Sequence, residues 1–257
     1  MLATITLLTA LAFAVLYPLC FWISFKDPLK DGFHKFHIGL PNTVGGTVVV
    51  FIWFMDIPLS LKILVTFWKA VFLSVSSYSW KKSFPSPKLL SIPCFIGVYA
   101  FIRLQSHLID PSWQVSFIGL LGGLIYCAAL FAMNLGHWYL NVHGLPMKHL
   151  IRSVDVFWFF IVLRAVWDVL IMCSGKILYN GDLISLIHFV SRFDGFLLWV
   201  GLFFGTIFPL ISLYFAKEVL KLKNTQSATG ILYVILCSVL LGDIAYKYYL
   251  TKYGIFL

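Results

Sequence analysis

Residues 43–79 carry 37 positions in which apolar side chains dominate, and the only interruption near the middle is Asp56-Ile57-Pro58. A helix needs about 20 apolar residues to cross a bilayer, so this run is too long for one ordinary span and long enough for two. Proline cannot continue a helix without losing a backbone bond. An aspartate next to it favours a turn. The run therefore divides into two short spans that meet at a tight turn. Six further runs of membrane length occupy residues 2–25, 88–107, 114–140, 153–174, 191–216 and 228–250.

None of these runs alternates with period two, and most are far longer than the roughly 10 residues of a barrel strand. The expectation is an all-α, polytopic membrane bundle of about eight transmembrane helices, with residues 1–257 forming a single integral membrane domain. Composition agrees. Charged residues make up 11% of the chain and hydrophobic residues 61%, whereas a soluble domain carries about 25% charged residues. The N-terminal run lacks a basic leader and a small-residue cleavage site, so it reads as a retained first span. Cys20, Cys94, Cys127, Cys173 and Cys237 are scattered through the apolar runs without a CxxC or CxxCH spacing. That argues against a disulfide framework, a zinc knuckle or covalent haem attachment.

The formal charge of +9 would suggest nucleic acid in a soluble protein. Here the basic residues sit in short loops between apolar runs. They read as topology signals and contacts to anionic lipid, so the expected partner is the lipid bilayer and not nucleic acid. With eight spans and the N-terminus outside, the inner loops hold Lys26, Lys30, Lys35, Lys81, Lys82, Lys88, Lys148, Arg152, Lys217, Lys221 and Lys223. The outer side holds Lys62, Arg103, Lys176, Arg192, Lys247 and Lys252. This excess favours both termini outside.

Two constellations carry chemistry. The first is "GHWYLNVHGLPMKHL" (136–150), together with His34 and His37 in the preceding polar segment 26–42. His34, His37, His137, Trp138, Tyr139 and His143 fall on one predicted face, where imidazoles can ligate a haem or hydrogen-bond a quinone. The same pattern also describes interfacial histidines beside an aromatic belt, with Gly144 and Pro146 ending a helix. No HExxH spacing occurs, and no metal site is expected.

The second constellation is intramembrane charge. Arg164 and Asp168, and again Asp243 and Lys247, stand four apart and share a helical face. Lys69 is similarly deep, and Asp194 lies near Arg192. An ionisable side chain at bilayer depth costs about 2.5–3.5 kcal/mol on insertion scales, so such residues face protein or a polar cavity. They read either as ion pairs that lock packing or as a polar pathway. In the segment "KLKNTQSATGILYV" (221–234), Asn224, Thr225 or Ser227 is positioned to cap the last span. GxSxG, Walker and GxGxxG motifs are absent.

"LGHWYL" (135–140) and "NTQSATGILYV" (224–234) look like segments of small bacterial inner-membrane proteins. "LLGDIAYKYYL" (240–250) resembles the last helix of the eight-span membrane-anchor subunits of dimethyl-sulfoxide-reductase-type enzymes, with Asp243, Lys247 and Tyr248 at the matching positions. That resemblance implies a quinone-reactive anchor without its own haem, and the leading expectation is a redox-associated membrane subunit that holds a quinone, or less readily a haem, and docks to other subunits of a redox complex. The residues themselves leave two further classes open: a small-solute or ion transporter with an Arg-Asp polar pathway, and a structural or assembly protein. The divided span is directly testable. In Ser60→Cys protein, a membrane-impermeant maleimide is expected to label position 60 from the outer face of intact cells; protection there would leave seven spans and reverse half the topology.

Overall fold

Once in hydrocarbon, a chain must bond every backbone amide internally, and an α-helix does so within one segment. The structure, a computed structural model, describes residues 1–24, 29, 32–82, 85–142, 145–179 and 181–257. Among them lie eight helical segments long and apolar enough to cross a membrane. The chain is an integral, multi-pass, all-α membrane protein. Large apolar side chains such as Phe51, Phe54, Phe95 and Val169 point outward from these helices, toward the acyl chains that surround such a bundle.

The chain divides into two compact units, Leu2–Cys127 and Ala128–Leu257. In the first, α1 (Leu2–Leu16, continued by a 3-10 segment Tyr17–Ser24) packs on α2 (Phe33–Phe54) and α4 (Pro87–Leu108), and α3 (Leu59–Trp80) packs between α2 and α4. The first part of α5 (Trp113–Asn141) belongs to the same unit. The break between α2 and α3 falls at Met55–Pro58, where the sequence places it. Trp68, Tyr17, Phe33, Phe72 and Phe101 are among the largest fully buried side chains of this unit.

Several boundaries differ from the sequence expectation, and two of the shifts move candidate histidines. α2 begins at Phe33, ten residues before the expected start, so His34 and His37 are helical residues and not loop residues. Pro41 lies inside the helix, which is tolerated because neighbouring helices can support the freed backbone groups. The helix after the loop also starts early, at Lys148, just past Pro146, which brings His149 into its first turn.

The second unit contains the rest of α5, α6 (Lys148–Ser174), a hairpin of β1 (Lys176–Tyr179) and β2 (Asp182–Ser185), α7 (Leu186–Val190), α8 (Phe196–Leu202), α9 (Phe208–Lys221) and α10 (Thr225–Tyr253). The hairpin pairs Lys176 with Ser185 and Tyr179 with Asp182, and Gly181 takes a φ of 90° at the turn. That angle suits glycine and few other residues. Asn224 caps α10 by accepting from the Ser227 amide at 3.0 Å.

Between α8 and α9 the chain takes one wider π-helical segment, Phe203–Ile207. Pro209 supplies a cause: it has no N–H for the carbonyl four residues earlier, at Gly205, and its ring crowds that carbonyl. Ser238 on α10 donates to the neighbouring Phe204 carbonyl at 2.6 Å. Gly201 and Gly205, four apart, let this segment lie directly on α10 at Gly242, where a Cβ on either Gly205 or Gly242 would run into the facing helix. Gly242→Ala is expected to destabilise the protein by about 1–3 kcal/mol through overpacking, read as a lower Tm in detergent. Gly230→Ala on the same helix, with open space at its Cβ, is the matched control and is expected to lose nothing.

Candidate functional site

The 3.6-residue period of α6 puts Arg164 and Asp168 on one face. Both are only 3% exposed, and Arg164 Nε donates to Asp168 Oδ1 at 3.1 Å. Placing the base ahead of the acid at i,i+4 is the weaker orientation for helix stability, so the surroundings of the pair matter more than the pairing. Those surroundings come from two other segments. Thr206, in the π segment, donates to Asp168 Oδ2 at 2.6 Å. Tyr246, on α10, donates to the same oxygen at 2.7 Å. The two hydroxyls lie 2.8 Å apart. The Tyr246 ring also lies under the Arg164 guanidinium, 3.8 Å from the ring centroid, close enough for a cation–π contact.

This arrangement leaves two features unsatisfied. Nε carries the one hydrogen bond of the Arg164 guanidinium among the described residues, and Nη2 is buried without an acceptor. A buried donor left unpaired costs about 1–3 kcal/mol, more for a charged group. In addition, Asp168 Oδ2, Thr206 Oγ and Tyr246 Oη form a triangle with three short edges. Two hydroxyl protons cannot fill three edges. When both hydroxyls donate to the carboxylate, the edge between them holds no proton. A third proton on Asp168 would fill it.

Depth follows from helix rise. Asp168 lies six residues before the end of α6, and Tyr246 seven before the end of α10. At 1.5 Å per residue the triangle sits about 10 Å in from the hairpin end of this unit. More polar groups occupy that end. Tyr249 donates to the Asp194 carbonyl at 2.6 Å, and Tyr179 donates to the Asp194 carboxylate. That bond pushes the Tyr179 phenol above its ordinary range. Arg192 lies over the Tyr179 ring and within 3.2 Å of His188 Nε2. Asp243 and Lys247 form a buried ion pair on α10.

The histidines are distributed differently. His37 is buried in the first unit, with Nδ1 2.7 Å from the Tyr17 hydroxyl and its ring packed against Phe33 at 3.9 Å. His34 is buried beside the Trp80 backbone. His137 belongs to the second unit, is exposed, and has Nδ1 3.3 Å from the Tyr233 hydroxyl. Tyr139 donates to the Pro146 carbonyl, and Trp138 is half-buried. His143 lies outside the described residues, as does Gly144. Of the sequence candidates, the structure thus brings Arg164 to Asp168 and Asp243 to Lys247, and places His34 and His37 in a different unit from His137. Lys69 spends its Nζ on the Asn42 carbonyl and side-chain oxygens, at 2.7 and 2.6 Å. No three His, Cys, Asp or Glu side chains gather in metal-binding range among the described residues.

Comparisons with protein-family models, curated proteins and solved structures find no match. Within the segment that resembles the redox-anchor helix, Asp243 and Lys247 pair with each other, and the Tyr248 hydroxyl accepts from Lys252 at 2.9 Å. Asp168 takes bonds from three side chains, Arg164, Thr206 and Tyr246. Its two hydroxyl partners, Thr206 and Tyr246, are not among the residues singled out from sequence. Thr206 is one polar residue in an apolar run, and Tyr246 is one tyrosine among several.

Asp168→Ala leaves Arg164 buried without a counterion, and a broken buried pair costs about 3–5 kcal/mol. Glu218→Ala removes the partner of exposed Lys221, where a pair contributes about 0–1 kcal/mol. Denaturant unfolding in mixed micelles is expected to separate the two variants by several-fold in stability loss.

Proposed function

We propose that this integral membrane protein is a small-solute or ion carrier whose polar pathway runs through Arg164, Asp168, Thr206 and Tyr246. The observation that carries this reading is the unspent Nη side of a buried guanidinium. A lock that served packing alone would need no donors beyond those its partners satisfy, whereas a binding site keeps donors for a ligand. The proton-deficient triangle beside it gives the pathway a place to take up and release a proton, which is what coupling a solute to a proton gradient requires. The polar groups from Tyr249 and Asp194 out to Tyr179 supply a path between this centre and the hairpin end.

A second reading is favoured by the aromatic rings of Phe203, Phe204 and Phe208, which pack together around the π segment. They would suit the flat ring of a quinone, whose carbonyl oxygen would accept from Arg164 while Asp168 takes the proton. In that case the protein is a subunit of a redox complex. A haem held by His37 and His137 has less support: His37 already meets Tyr17 and packs among aromatic rings, as a structural histidine does.

The test is flux. Full-length protein reconstituted in liposomes with an internal pH dye is expected to move protons when a transported solute is added, and Asp168→Asn is expected to lower the rate at least tenfold. Proteoliposomes that move neither protons nor any of a broad solute panel would overturn the carrier reading. A quinone that co-purifies stoichiometrically, and is lost in Asp168→Asn, would establish the second one.

A further inference from the structure

Charge and geometry at Arg164 restrict what the site takes. The guanidinium has used Nε on Asp168 Oδ1, and one of its faces lies on Tyr246. What remains is the planar Nη1–Nη2 edge, with Nη2 sealed from solvent and unpartnered. That edge matches two coplanar oxygens on one atom, the fork-to-fork arrangement of a carboxylate on an arginine.

Net charge sets the second restriction. Arg164 and Asp168 already cancel, so an incoming monoanion would leave one uncompensated negative charge in a low-dielectric interior. One proton on Asp168 removes that charge, and the triangle has one edge to receive it: Asp168 then donates to Thr206, Thr206 to Tyr246 and Tyr246 back to Asp168. A phosphate dianion would need two protons where there is room for one. A neutral carbonyl ligand would need none.

We propose that the Nη edge of Arg164 binds a monocarboxylate, and that one proton enters the Asp168–Thr206–Tyr246 triangle with it. The proposal rests on the carrier reading and names its substrate class. In protons and charge the step balances: carboxylate plus proton plus the Arg164–Asp168 pair gives an Arg164–carboxylate pair and a neutral Asp168. Among the described residues, the groups that bond Asp168 are Arg164 from α6, Thr206 from the π segment and Tyr246 from α10. Asp243 and Lys247, also on α10, form an ion pair. Asp155 and Lys217 pair more than three turns away along α6.

Calorimetry on the full chain in nanodiscs, with acetate and benzoate as probes, tests this in two buffers of different ionisation heat. Benzoate or acetate is expected to bind with uptake of close to one proton, and its affinity to fall about tenfold per pH unit where Asp168 is ionised in the free protein. Benzamide and inorganic phosphate are expected to bind at least tenfold more weakly than benzoate. Arg164→Lys, which keeps the charge and loses the fork, is expected to weaken benzoate binding at least tenfold. Should that variant fail to fold, Tyr246→Phe keeps the ring against Arg164, and its proton uptake or its affinity is expected to fall at least threefold.

Absence of binding by both acids, binding without proton uptake, benzamide equal to benzoate, or variants equal to the parent protein each overturns the proposal. The two levels separate cleanly. Carboxylate binding without flux leaves the ligand assignment standing and removes the carrier. Flux of other solutes without carboxylate binding does the reverse.

Discussion

Asp168 is shared. Its carboxylate takes one bond from its own helix and one each from two other segments, so α6, the π segment and α10 have to meet at one point in the core of the second unit. In hydrocarbon there is no water to replace any of those donors, and apolar side chains gain little by leaving lipid for protein. Polar bonds and close backbone contact must therefore decide which helix faces approach. The contact of Gly205 with Gly242 and the bond from Ser238 to the Phe204 carbonyl lie close to Thr206 in the chain. Packing and polar chemistry thus use the same short stretch.

The first unit relies less on charge. Lys69 bonds oxygens of Asn42 and lies over the Phe72 ring, and Trp68 fills the space left by Gly45 and Gly97. His37, packed against Phe33 and both stacked on and bonded to Tyr17, takes part in aromatic packing near the start of its helix. Similar composition along the two halves of the chain therefore supports quite different interiors. One is mainly apolar with single polar contacts, and the other is built around a network.

How much of this was legible in the sequence follows from which signals are local. Span length and the Asp56–Pro58 break are local, and the structure places eight helices with a break there. The spacing of Arg164 with Asp168, and of Asp243 with Lys247, is fixed by helix geometry, so both pairs could be read from four-residue intervals. The early starts of α2 and α6 were hidden because polar residues and Pro41 interrupt hydropathy without ending a helix. The hairpin went unread because its strands are only four residues long, although Asn180-Gly181 between "ILY" and "DLI" is a strong turn signal. Thr206 and Tyr246 could not be found by spacing. They reach Asp168 across 38 and 78 residues of sequence, and a hydroxyl in an apolar run looks like any other minor polar interruption.

The π segment at Phe203–Ile207 also bears on how this chain tolerates insertions and deletions. A π turn holds about one residue more than the α turn it replaces, so the segment behaves as a one-residue insertion absorbed without breaking the helix. Removing one residue there would restore a regular helix and turn everything on one side of the cut by about 100° relative to the other. Gly201 and Thr206 lie at the two margins of that cut, one meeting α10 and the other meeting Asp168. The spare residue keeps both in phase, so the count of residues through this turn is constrained as strictly as their identity.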